Sequence, residues 1–249
     1  MLREPGSLTT TLGLLTAFSI IVPISAGAGV VVVDENNLSW AFFVEGGVAT
    51  SGFETGPDTP PLGSGSAFFG ISGSSDAVAI GTADHNGTRL ADLTVLDYCT
   101  YQNTTPQAIS LQFNADYDDS DAATSWQGRL VYEPYYTESV IPGVWQCWDT
   151  LQASGNWWSS GSPIVGDTPH AATCTIGSPC SFATILATYP DIAIHQGALG
   201  AVLLKAGSGW PDAVQFSIDS LEISTQQGSV VYDFETLQIP VELLALEVE

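Results

Sequence analysis

Residues 108–117 read AISLQFNADY, and in them apolar and polar side chains alternate strictly. A period of two puts Ile109, Leu111, Phe113 and Ala115 on one side of an extended chain and Ser110, Gln112, Asn114 and Asp116 on the other, the signature of a half-buried β-strand. The same pattern continues outward in both directions. Upstream, Leu93–Tyr101 (LTVLDYCTY) alternates, and Leu38–Val44, Ser66–Ile71 and Ala77–Ile80 are short apolar runs bounded by turn residues. Downstream, Gly128–Tyr135, Gly143–Trp148, Ala198–Lys205, Ala213–Ile223 and Ser229–Phe234 behave likewise, whereas Phe53–Leu62 (FETGPDTPPL) is rich in turn formers. About ten short strands separated by Gly, Pro, Asn and Asp predict an all-β chain, a jelly-roll or concanavalin-like β-sandwich.

One segment departs from this period. After Ser178-Pro179, the sequence CSFATILATYP places Phe182, Ile185, Leu186 and Tyr189 at helical spacing. Ser178 is the expected cap, Pro179 the first helical residue and Pro190 the stop. This predicts one short helix over an end or edge of the sandwich. No internal repeat or linker divides the chain, so residues 29–235 are expected to form one sandwich domain. Residues 236–249 would be a tail or extra strand that offers itself for self-association.

The N-terminus carries Arg3, an apolar run from Leu12 to Ile24, and then small residues through Ala28. That order predicts a secretory signal over residues 1–28, cut after Ala26 or Ala28, with no membrane span left afterwards. Four cysteines behind such a segment favour disulfides. Three pairings are open to Cys99, Cys147, Cys174 and Cys180. The expected ones are Cys99–Cys147, joining two strand-like stretches, and Cys174–Cys180, closing the tight loop CTIGSPC. The expected location is extracellular or on the cell envelope.

Against 27 Asp and Glu stand four Lys and Arg, for a net charge of −23. Such a surface repels phosphate backbones, which argues against nucleic acid as a partner and against an anionic membrane surface. Arg89, Arg129 and Lys205 are the cations of the exported part, each expected in an ion pair or, alternatively, in a clamp for an anionic ligand.

The stretches PLGSGSAFF, GTRLADLTVLDYCTY, SWQGRLVYEPYY, PGVWQCWDT, CTIGSPCSFATILATYP and VYDFE, spread over residues 38–235, resemble those of secreted bacterial and archaeal jelly-roll proteins of unknown function, which look like carbohydrate-binding modules. The resemblance implies the fold and export. It implies no particular chemistry.

Two constellations bear on function. In NADYDDSDAATSW, Asp116, Asp118, Asp119 and Asp121 supply closely spaced carboxylates for a structural calcium ion, although the EF-hand glycine and glutamate positions are not matched. The aromatic residues Trp157, Trp158 and Trp210, with Tyr135 and Tyr136, are candidates to stack on sugar rings, and Trp157–Trp158 is expected in a loop. Of Trp145 and Trp148, three apart on a strand, one should face the core. No nucleophile, zinc or phosphate-loop motif is present. The expected function is therefore a secreted, non-catalytic carbohydrate-binding or cell-surface module. The alternatives are a self-assembling structural or adhesive protein, and a polysaccharide hydrolase working through paired carboxylates.

Overall fold

The computed structural model describes residues 27–120, 125–165, 168–210 and 213–237. Its strands, in chain order, are β1 (Gly29–Val33), β2 (Trp40–Gly46), β3 (Thr50–Thr55), β4 (Gly65–Ile71), β5 (Ala77–Thr82), β6 (Leu93–Gln102), β7 (Ser110–Asp116) and β8 (Arg129–Tyr132). They continue as β9 (Gln146–Asp149), β10 (Trp157–Ser160), β11 (Ile164–Val165), β12 (Thr168–Pro169), β13 (Ala193–Ile194), β14 (Ala201–Gly207), β15 (Val214–Thr225) and β16 (Gly228–Phe234). The α-helix α1 (Phe182–Thr188) lies between β12 and β13.

Two seven-stranded sheets form a sandwich-like arrangement. The first runs β1-β16-β15-β4-β3, with β6 and β9 added beside β15. The second runs β10-β8-β7-β14-β5-β2, with β13 beside β7. Pairing is antiparallel except between β1 and β16, which run parallel. The core draws on both sheets: Phe69, Leu96, Tyr98, Phe216, Ile218, Leu221 and Phe234 from the first meet Ile80, Leu111, Phe113, Leu130, Tyr132 and Leu204 from the second. These residues occupy alternate positions, as the period of two requires. Strand β15 changes phase partway. Val214, Phe216 and Ile218 are buried at even positions, then Leu221 and Ile223 at odd ones. A bulge between Asp219 and Glu222 opposite β6, with Ser220 at φ 57°, inserts the extra residue that switches the faces.

Both expected disulfides are present, Cys99–Cys147 linking β6 to β9 at directly paired positions and Cys174–Cys180 closing its loop. Trp148 is the buried member of its pair with Trp145, and its indole N–H donates to Thr100 Oγ1 at 2.9 Å. The short helix exists but begins later than expected. Ser181, not Ser178, is its cap: its hydroxyl accepts from the Thr184 N–H, and Pro179 lies outside in the disulfide loop. Strand β3 occupies part of the stretch read as turns, and the strands outnumber the ten expected because several span only two to four residues. No helix among the described residues is long and apolar enough to cross a membrane. Residues 1–26 of the expected signal and 238–249 of the tail lie outside the described residues.

Candidate functional site

The face of the second sheet turned away from the core brings charged, amide and aromatic side chains together. On β8, Leu130 and Tyr132 join the core, so Arg129 and Val131 point the other way, and the extended Glu133 continues the alternation. Register then assembles the face. Trp158 of β10 is paired with Val131, Val131 with Gln112, Gln112 with Leu203, and Leu203 with Gly81 of β5. One row along, Lys205 stands between Ser110 and Ala79, and Ala79 faces Phe43 of β2. On the β5–β2 side Phe43 lies opposite Ala79, and Leu203 and Phe43 close over Gly81. Ser110, Gln112 and Glu133, polar side chains on an outer face, are nonetheless buried.

Charge concentrates here. The Arg129 guanidinium grips the Glu45 carboxylate with both terminal nitrogens, Nη1 reaching Oε2 at 3.0 Å and Nη2 pairing with Oε1. Lys205 Nζ lies 2.6 Å from Glu45 Oε2. Arg129 Nε donates to Asn114 Oδ1 at 3.1 Å and Nη1 to Gln112 Oε1 at 3.3 Å. Gln112 in turn donates to Ser110 Oγ at 2.8 Å, which donates to the Lys205 carbonyl at 3.1 Å. The exposed Trp126 ring stands 5.9 Å from the guanidinium carbon. Partial burial pushes the Glu45 carboxyl up, but the hydrogen bonds and positive charge of Arg129 and Lys205 outweigh it and hold that carboxyl at about 2. Glu133 shifts the other way. Burial raises it, and the hydrogen bonds from Trp158 and Tyr135 with the charge of Lys205 only partly offset the rise. The face thus carries one carboxylate fixed as an anion and one that takes up a proton more readily than usual.

Glu133 also ties the face to its neighbourhood. Its Oε2 accepts from the half-buried Trp158 indole N–H at 3.1 Å, and Tyr135 bonds it from the following turn. Tyr135, 37% exposed, stacks on Tyr136 with centroids 4.5 Å apart and also lines a groove of about 670 Å³. Thr105, Gln107, Glu138 and Ser139 give that groove hydroxyl, amide and carboxyl groups.

The expected stacking residues are therefore separated by the fold. Trp158, Tyr135 and Tyr136 gather around Glu133 or beside it. Trp157 does not join them. It lies in strand β10 rather than a loop, is 0% exposed, stacks on Phe113 and touches Phe182, and donates to the Thr150 carbonyl at 3.0 Å. No ring face remains for a ligand. Trp210 is likewise core, packed on Phe216 with centroids 4.8 Å apart. In the acidic stretch, Asp116 Oδ1 accepts from the Asp118 N–H and Gln127 Nε2, both at 3.1 Å. Asp118 Oδ1 accepts from the Ser120 N–H at 3.2 Å, and Asp119 Oδ1 from Gln196 Nε2 at 3.3 Å. Asp121 lies outside the described residues. Among those described, no three His, Cys, Asp or Glu side chains are grouped to hold a metal ion. Glu45 carried no sequence signal of its own, because its partners arrive from strands separated from it by more than eighty residues. Comparison with family models, with curated proteins and with solved structures gave no match to this chain.

Proposed function

We propose that this protein is an exported, non-catalytic carbohydrate-binding module and that the outer face of its second sheet is the binding surface. The observation that carries this reading is the placement of the exposed Trp126 and the half-buried Trp158 on one sheet face with polar groups: Arg129 and Lys205 with the Gln112 network, and Glu133 bonded to Trp158. A sugar ring presents C–H faces and a rim of hydroxyls, so it needs an apolar plate, convergent polar groups and room. The adjoining Tyr135 groove extends the surface enough for more than one sugar unit. Two disulfides suit an oxidising compartment.

A glycan array tests the proposal. Trp158→Ala is expected to weaken any binding at least tenfold, consistent with the loss of a stacking contact and of the Glu133 hydrogen bond, while the circular dichroism spectrum stays unchanged. An array blank for the wild-type protein, or binding that Trp158→Ala leaves untouched, would remove this face from consideration.

A further inference from the structure

Among the described residues there are three Lys or Arg side chains, and two of them meet on a single carboxylate. The third, Arg89, is paired with Asp191 elsewhere. In a chain of net charge −23 this is a strong local concentration of positive charge. We infer that Arg129 and Lys205 form a clamp for the carboxylate of an acidic sugar residue, and that Glu45 is an internal occupant which such a ligand displaces. The inference rests on the glycan-binding reading of the same face and names the class of sugar.

Three features support it. First, the arginine of the clamp does not depend on its occupant. Arg129 is held by Asn114 and Gln112 and flanked by Trp126; Lys205 sits on the interior strand β14, its backbone carbonyl accepting from Ser110 and its ammonium group paired with Glu45. Removing Glu45 leaves the guanidinium anchored and frees the ammonium group beside it. Second, the guanidinium already presents its two terminal nitrogens to one carboxylate, the geometry that a uronate would meet. Third, Glu45 comes from the edge strand β2, at the point where pairing with β5 slips between Val44 and Gly46. Gly46 and then Gly47, at φ 64°, lead into a turn whose Val48 N–H donates to Asp76 Oδ1. A bulge leaves one residue of the edge strand out of the hydrogen-bonded ladder. Because Glu45 stays ionised well into the acid range, its release comes from competition by another carboxylate and not from mild acidification.

The test uses the exported chain, with methyl glucuronide, methyl glucoside and acetate as probes, followed by NMR titration. Glu45→Gln keeps the side-chain shape and removes the competing charge. Affinity for the glucuronide is expected to rise at least tenfold, the gain to shrink with added salt, and affinity for the glucoside to change less than twofold. Arg129→Gln placed on Glu45→Gln should cancel the gain. Should Glu45→Gln fold poorly, Glu45→Asp withdraws the carboxylate by one methylene and is expected to give a smaller gain of the same selectivity. Equal changes for glucuronide and glucoside, or no gain with either variant, overturn the clamp; glucoside binding that still needs Trp158 would leave the glycan-binding reading standing. A gain for acetate as large as that for the glucuronide would support the clamp and count against sugar recognition.

Discussion

Adjacent tryptophans with opposite fates show how much one residue's setting decides. Trp157 and Trp158 sit in SGNWWSSG, whose composition reads as a loop. The structure extends them as strand β10 because β8 offers one partner edge and Cys180 the other: Trp157 and Cys180 exchange backbone hydrogen bonds of 2.9 and 2.8 Å, with Cys180 fixed by its disulfide. Once extended, neighbours must face opposite ways, so Trp157 enters the core and Trp158 the outer face. Neither the four-residue strand nor the disulfide-held partner can be read from local composition. The consequence is testable. Trp157→Ala should cost about 3–5 kcal/mol of stability through the cavity it leaves. Thermal denaturation should register a drop of roughly 10 °C. Trp158→Ala should shift the midpoint far less, and equal losses for both would contradict the assignment of faces.

At the scale of elements, the strands with strict alternation were legible, β7 above all, because a single apolar face stamps its period on the sequence even though β7 is buried on both sides. What local periodicity could not supply was the bulge in β15, the strand hidden in the turn-rich stretch, and the helix cap, displaced to Ser181 by the disulfide loop. Cross-strand neighbours were equally out of reach. Asp97 of β6 pairs with Asp149 of β9 on one side and Glu222 of β15 on the other, three carboxylates abreast. Burial first, then the charges of Asp149 and Glu222, raise the Asp97 carboxyl to about 6, and burial raises Asp219 to about 6 despite three backbone donors. A carboxyl whose folded pKa exceeds its unfolded value of 3.8 binds its proton more tightly in the folded state. It therefore contributes stability that is fully present below 3.8 and lost as pH rises through about 6. Glu45 acts in the opposite sense, its contribution present above 4.5 and lost as pH falls toward about 2. The melting temperature should therefore rise as pH is lowered from roughly 7.5 to 5 and fall again below roughly 3.5. Asp97→Asn should raise the melting temperature at neutral pH and flatten the gain on acidification. A melting temperature that falls steadily from neutral pH downward would refute this balance.

For the molecule as a whole, fold class followed from strand period and the Cys174–Cys180 disulfide from its six-residue spacing, both local in sequence, while Cys99–Cys147, 48 residues apart, followed from matching the two cysteines in strand-like stretches. The candidate site did not, because it depends on sheet order: Glu45, Gln112, Arg129, Glu133, Trp158 and Lys205 meet only when β2, β7, β8, β10 and β14 lie in one sheet. Of the aromatic residues singled out from sequence, the fold keeps Trp158 and Tyr135 at the surface in question and moves Trp157 and Trp210 into the core. The seven tryptophans make this partition directly observable, since each carries one indole N–H. With the indole nitrogens labelled with nitrogen-15, a glycan that binds the protein is added stepwise and the indole resonances are followed. The Trp158 and Trp126 signals are expected to move together while those of Trp40, Trp148, Trp157 and Trp210 stay in place. Movement of the buried set alone, or a bound glycan that leaves Trp158 and Trp126 unshifted, would contradict binding at this face.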